Sequence, residues 1–315
     1  MAHNLSNITY PLLISNSTGA LVLMSIILIA SLFCNALLIL SKTNQQSKIT
    51  PTDWLILNLA ISDLGFMIIE TIKVIFRYTT SSFQIFHSNS FSCRLLGGSS
   101  IAFNMTNVLT LTSLAIIQYC CVSRRPRSKW FILFRKVSFI IIITWVLPIL
   151  TLAPSIGDVW GKFVYNGIIG SCSLFDDMRR VQPWHFTYNI LLTILYFAVP
   201  ICLVCHYYSK IFQIVRKARR RIIDQLSRST NPLVNKTNAA DIKIIIRLVI
   251  ICLIFFICYV CVSTLIALSL SGILKINLFY EYILVIMLHA DCVVIPIIFL
   301  SQDNFRAVRK RFRCL

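Results

Sequence analysis

The chain has 315 residues, of which 57% are hydrophobic and only 13% charged, against about a quarter charged in a typical soluble domain. Its mean hydropathy is +0.79 and its formal net charge +19. Too little polar surface is present to cover a soluble globular protein of this length, so the surplus apolar surface belongs in a bilayer, and the positive charge must be located before it is read as a nucleic-acid footprint.

A spanning helix needs about 20 mostly apolar residues. Seven such stretches occur in chain order, at roughly 20–41, 53–76, 92–122, 136–155, 184–212, 242–270 and 277–301. A membrane barrel would show short alternating segments instead. The expected fold class is therefore an all-α membrane protein, a seven-transmembrane helix bundle. The first residues lack a basic region, short apolar core and small-residue cleavage site, so the first span is expected to act as an uncleaved anchor. With the N-terminus outside, the internal segments 42–52, 123–136, 210–247 and the tail after 301 hold 23 of the 30 Lys and Arg residues. That asymmetry sets the orientation. It also makes the charge topological, so no nucleic-acid partner is expected.

The expected organisation is an extracellular glycosylated N-terminus at 1–19, the seven-span domain at 20–301 and a cytoplasmic amphipathic helix with tail at 302–315. Asn4, Asn7 and Asn16 each open an Asn-x-Ser/Thr acceptor before the first span. The third internal segment carries Arg216-Lys217-Ala218-Arg219-Arg220-Arg221. It reads as a charge cluster beside anionic membrane lipid, as a docking surface for a cytoplasmic partner, or as both. In the tail, Phe305, Val308 and Phe312 share one face of a short amphipathic helix, and Cys314 beside the membrane is a candidate for palmitoylation.

Of twelve cysteines, most fall inside spans and read as small buried hydrophobes. Only Cys93 and Cys172 are expected on the outer side. That side is oxidising, and two lone cysteines there form a natural pair. Their bridge would pin the loop after the fourth span over the bundle. No metal-type spacing appears.

Ionisable groups inside spans are costly and usually face the bundle interior. Glu70 and Lys73, three apart near the outer end of the second span, can pair on one helix face. The pair lines a pocket mouth, or Lys73 simply snorkels outward with a local partner. Lys73 is the only amine in that span. His289 and Asp291 lie two apart, so each needs a different neighbour.

Several motifs occur in order and at matching spacing. Asn35 lies in the first span. Leu57-Asn58-Leu59-Ala60-Ile61-Ser62-Asp63 sits in the second, and Cys93 opens the third. Trp145, Pro148 and Pro154 occupy the fourth; Pro200 and Tyr208 the fifth. Pro296 stands in the seventh and Asn304-Phe305-Arg306 starts the tail. Over nearly its whole length the chain resembles rhodopsin-like (class A) G-protein-coupled receptors. The stretch from Pro154 to Asp176 resembles the outer loop of opsins, with Asn166 where opsins often carry glutamate.

The resemblance implies a ligand pocket lined by Glu70, Lys73, Asn104, Asn166, Tyr259 and His289. It implies a polar core of Asn35, Asp63, Asn107 and Asp291, in which two acids would favour a bound cation such as sodium or a shared proton. It implies a coupling and switch region comprising Gln118, Tyr119, Tyr208, Asp241, Pro296 and Phe299. Departures from the family pattern are equally specific. Counting back from Pro296, His289 replaces the retinal-binding lysine of opsins, and imidazole cannot form a retinal Schiff base. Leu96 stands at the usual counterion position. No covalent retinal, and no other resident cofactor, is therefore expected, with Lys73 the first suspect if retinal bound covalently at all. The acid-Arg-Tyr triplet is Ile117-Gln118-Tyr119, the Cys-Trp-x-Pro element is Cys258-Tyr259-Val260-Cys261, and the Asn-Pro-x-x-Tyr motif is Ile295-Pro296-Ile297-Ile298-Phe299. Loss of the sixth-span proline should leave that helix straighter.

These readings imply a plasma-membrane receptor that transduces a small-molecule or lipid signal to a heterotrimeric G protein. The alternative is an opsin-derived protein that acts as a partner or sensor by other means. No internal repeats or paired broken helices suggest a transporter, and no catalytic set suggests an enzyme.

Overall fold

The computed structural model describes residues 18–44, 49–79, 90–123, 130–166, 171–174, 183–226, single positions and pairs between 250 and 287, and 289–301. Helix α1 spans Thr18–Thr43, α2 Pro51–Thr79, α3 Phe91–Ser123 and α4 Trp130–Ile156. The fifth span comprises α5 (Pro183–Thr193), a π-helical segment (Ile194–Ala198) and α6 (Val199–Leu226). Helix α7, Asp291–Ser301, is the described part of the seventh span. Five of these spans are long and apolar enough to cross a membrane; the 26 residues of α1 rise about 39 Å at about 1.5 Å per residue, more than the hydrocarbon core. The first four spans run a few residues beyond their expected ends, and the fifth extends well past its expected inner end, to Leu226.

The apolar residues that give the chain its hydropathy face two ways. On α1, Val22, Ile26, Ile29, Phe33, Leu37 and Leu40 are all exposed and recur every three or four residues, so they form one outward stripe for lipid. Inward, α3 is the hub, packed against α2, α4 and α6. Leu55, Leu59, Val108, Leu111, Leu114, Ala115, Tyr208, Ile211 and Phe299 make the inner core; Met105, Leu152, Phe163, Tyr188 and Tyr196 make an outer one.

Local chemistry fixes the helix ends and bends. Thr50 caps α2: its Oγ1 accepts the Asp53 N–H at 3.2 Å, while the Thr50 N–H donates to Asp53 Oδ2 at 3.0 Å. Pro51 fills the first helical position, where its missing N–H is not needed. Asp53 Oδ1 also takes Lys42 Nζ at 2.9 Å, tying the end of α1 to the start of α2. In the fifth span the Val199 N–H reaches back to the Ile194 carbonyl, and Pro200 immediately after has no N–H to continue the ordinary ladder.

The bundle is helical as expected, and outside the helices β1 (Val164–Asn166) pairs antiparallel with β2 (Ser171–Ser173), Tyr165 opposite Cys172. Their backbone groups pair with each other in a loop, which short apolar-span counting does not detect. Two expectations need correction. The internal segment from 210 is not a loop at its start, because α6 continues as helix to Leu226; Arg, Lys and Ala are good helix formers. Finally, Cys121, Cys202 and Cys205 are exposed on helix surfaces rather than buried, since span membership alone does not choose the helix face. The expected sites at Asn4, Asn7, Asn16, Asp241, Tyr259 and Cys314 and the 302–315 helix lie outside the described residues.

Candidate functional site

The outer loop is held over the bundle at several points. Cys93 and Cys172 form a disulfide with Cα atoms 5.4 Å apart, as expected. Gly97, one turn into α3, makes this approach feasible: a Cβ there would sit 2.8 Å from the Cys172 carbonyl and 2.9 Å from the Phe163 ring. Asn189 Nδ2 donates to the Leu174 carbonyl at 2.9 Å, and Arg94 Nη1 to the Ile156 carbonyl at 3.1 Å. Asn166 lies in β1 on this outer hairpin.

Beneath it, α2 places Asp63, Phe66, Glu70 and Lys73 at helical spacing along the bundle interior. Lys73 Nζ donates to Glu70 Oε1 at 2.7 Å, and Ser100 Oγ on α3 donates to the same oxygen at 2.5 Å. Glu70 is 8% exposed and Lys73 7%. His289 is buried too, stacks on Phe66 with ring centroids 5.8 Å apart, and interacts electrostatically with Glu70. Three candidate pocket residues, Glu70, Lys73 and His289, thus converge from two spans. Asn104 follows Ser100 by one turn on α3 and is half-buried.

Two turns inward, about 10 Å along α2, Asp63 Oδ1 accepts Asn107 Nδ2 at 2.6 Å and the Cys292 thiol at 3.5 Å. Asp291 Oδ1 accepts the Cys292 N–H at 2.9 Å, and its carboxylate repels the like charge of Asp63. Asn35 joins the group indirectly: its Nδ2 donates to the Cys292 carbonyl at 2.9 Å, beside Ser31 Oγ at 3.0 Å on the same carbonyl. Cys292 therefore touches three of the four expected core residues, and Asn107 joins them through Asp63. Asn35 Oδ1 and Asn107 Oδ1 are buried acceptors with no partner among the described residues. The sequence offers no Lys or Arg anywhere in 54–72, 95–123, 248–274 or 276–305, so no basic side chain on those spans can neutralise the two acids.

At the inner end, Tyr208 donates its hydroxyl hydrogen to Gln118 Oε1 at 3.0 Å, joining α3 to α6. Gln118 Nε2 has no partner among the described residues. Tyr119 packs on Tyr207 with ring centroids 5.4 Å apart. Pro296 is buried, and Phe299, 1% exposed, fills the core beside Tyr208. Where the family pattern has an arginine and a tyrosine, this chain has a neutral amide bonded to the fifth span and a ring without a hydroxyl.

Sequence reasoning missed one network. Asn58 Nδ2 donates to Thr110 Oγ1 at 2.8 Å, and Trp145 Nε1 donates to Asn58 Oδ1 at 2.8 Å. This joins α2, α3 and α4. Asn58 and Trp145 both stood among the motif residues, and a buried amide facing a buried indole was the available signal.

Residues 34–299 match the family model described as 7 transmembrane receptor (rhodopsin family). The chain is 29% identical over 183 residues to a Gq-coupled rhodopsin of Mizuhopecten yessoensis, covering 58% of this chain and 35% of that protein. It is 25% identical to the melanopsin of Homo sapiens, covering 60% and 38%, and 24% identical to opsin Rh1 of Calliphora vicina, covering 66% and 54%. The matched part thus spans about a third to a half of these relatives. The crystal structure of squid rhodopsin shares the fold with a TM-score of 0.71 at 21% identity, over 92% of this chain and 77% of that one.

Proposed function

We propose, from the premise that this chain belongs to the rhodopsin family of seven-transmembrane receptors, that it is an opsin-like receptor which passes a small-molecule or lipid signal to a heterotrimeric G protein. The observation that carries this is the line of buried polar groups running from Glu70 through Asp63 to Gln118 inside a bundle whose outside is apolar. Buried ionisable groups in a membrane are costly and mark a ligand or ion path. A ligand seated against Glu70, Lys73, Asn104 and His289, below Asn166, would shift the bundle toward the state that engages a G protein through the Gln118–Tyr208 end. In this reading Tyr119, Pro296 and Phe299 serve that same end, and the family resemblance assigns Asp241, outside the described residues, the same role. The similarity to the Gq-coupled rhodopsin of Mizuhopecten yessoensis makes Gq the first G protein to try.

Two acids without a fixed countercharge, beside two amide oxygens that have no partner among the described residues, support a hard cation such as sodium at Asp63 and Asp291, with Asn35 and Asn107 completing its oxygen set. At position 289 the donor chemistry does not fit covalent retinal, since imidazole lacks a primary amine. Glycosylation at Asn4, Asn7 and Asn16, palmitoylation at Cys314 and a plasma-membrane location complete the reading, with the domain limits 1–19, 20–301 and 302–315.

The test is nucleotide exchange on a panel of purified G proteins by the full chain in lipid, in darkness and light, with and without added retinal. Exchange above the no-receptor background is the expected result; none under any condition contradicts it. Gln118→Arg, which offers Asp241 a cation, is expected to raise exchange, and no gain would overturn the role given to Gln118.

A further inference from the structure

The fifth span does not stop at the inner membrane boundary. Helix α6 runs on to Leu226, and one of its faces changes character along the way. With 3.6 residues per turn, Cys202, Cys205, Phe212, Arg216, Lys217 and Arg220 fall within about 140° of arc, and all six are exposed. Tyr208 and Ile211, 8% and 1% exposed, mark the bundle side of the same helix. The face therefore looks outward, away from the Gln118–Tyr208 end. As far as Phe212, which is 61% exposed, it offers apolar and weakly polar groups to lipid tails. Arg216 lies about 6 Å and Arg220 about 12 Å farther along the axis. A headgroup layer is about 5–8 Å thick on each side of the hydrocarbon, so Arg216 stands within it and the long side chain of Arg220 reaches back to it.

Charge on this face is uncompensated. Helix α6 carries six Lys and Arg against one acid, Asp224. Arg216, Lys217 and Arg220 have no carboxylate partner among the described residues. Membrane orientation alone asks for positive charge in the inner segment, in any order and on any face. Here two guanidinium groups stand four residues apart on one helix face with an ammonium beside them, an arrangement that costs the helix through like-charge repulsion. A multivalent anion laid across the face removes that cost. Each guanidinium fork matches the geometry of a phosphate, and a lysine adds a point charge.

We propose that this face of α6 is a docking site for an inner-leaflet phosphatidylinositol bisphosphate, a lipid with two adjacent phosphomonoesters. Arg216 and Arg220 take the two phosphates, and Lys217 flanks them. The acyl chains lie along the apolar part of the face that ends at Phe212. A monoanionic headgroup neutralises only one of the three cations, so the site selects for clustered phosphate rather than for negative charge as such. Because the face is turned away from the bundle interior, the lipid and a G protein beneath the bundle occupy different sides of α6.

The full chain in phosphatidylcholine–detergent micelles is offered phosphatidylinositol 4,5-bisphosphate against phosphatidylserine at about fourfold excess, which matches the total charge. Retained lipids are counted by native mass spectrometry. The bisphosphate lipid is expected to be kept in preference, and Arg216→Gln or Arg220→Gln alone to weaken its retention about fivefold. The triple variant Arg216→Gln, Lys217→Gln and Arg220→Gln is expected to lose the preference with an unchanged unfolding temperature, because all three side chains are exposed. Removing three charges at Arg124, Arg125 and Arg127 instead should leave the preference in place. Equal retention of the two lipids at matched charge would overturn the proposal, as would equal losses in the two triple variants, which would leave only net charge. A triple α6 variant that keeps the lipid but loses nucleotide exchange in micelles free of phosphoinositide would also overturn it, and would assign the face to the G protein.

Discussion

Two buried acid sites lie two turns apart on α2, and they are neutralised differently. Glu70 has a lysine at 2.7 Å and a serine hydroxyl on the same oxygen. Asp63 has an amide, a thiol and, within electrostatic range, a second acid. The outer site carries its countercharge in the sequence; the inner site has none on the basic side chains of the spans. The difference separates a fixed charge pair, which the proposed function gives to a ligand, from an uncompensated pair, to which it gives a mobile ion or a shared proton. Both sites use α2 and converge on the seventh span, so a shift of that span moves both.

The largest expected effect comes from breaking the outer pair on one side. Lys73→Met leaves Glu70 charged and unpaired between helices, and thermal unfolding of the purified protein should show a loss of about 3–5 kcal/mol. The double substitution Glu70→Gln with Lys73→Met should recover most of it. Failure of the double variant to recover would mean that Lys73 acts through packing rather than charge.

The inner site should respond with the opposite sign. Asp291→Asn removes one of two like, mutually repelling charges, and in sodium-free buffer it should stabilise the protein by about 1–2 kcal/mol at an effective dielectric of about 20. A destabilised variant would show that Asp291 is held by a partner stronger than the Cys292 N–H. The smallest effect is expected at a neutral site that serves as the reference. Trp145→Phe deletes the donor to Asn58 Oδ1 and should lower stability by about 1 kcal/mol, with no dependence on sodium.

Much of this architecture is legible in the sequence because its signals are local or topological. The apolar runs give the first five spans to within a few residues, apart from the inner end of the fifth. The i, i+3 spacing gives Glu70–Lys73, and the two outer cysteines give the disulfide. What escaped depends on tertiary approach. The Asn58 network needs three helices in register, and the Lys42–Asp53 pair needs the short turn between α1 and α2. The Tyr208–Gln118 bond needs the fifth span's π segment to set its rotation. The sequence showed that Gln118 lacks a cation's charge; it did not show that an amide at that position still finds a partner on the fifth span.

A cation at the inner acid pair is tested most directly by the unfolding temperature of the purified chain in sodium chloride against choline chloride at equal ionic strength. Sodium should raise that temperature in the wild type, and the rise should vanish in Asp63→Asn while persisting in Lys73→Arg. A wild type indifferent to sodium, or an equal rise in Asp63→Asn, would contradict a mobile cation at the inner site and leave a shared proton as the means by which Asp63 and Asp291 coexist.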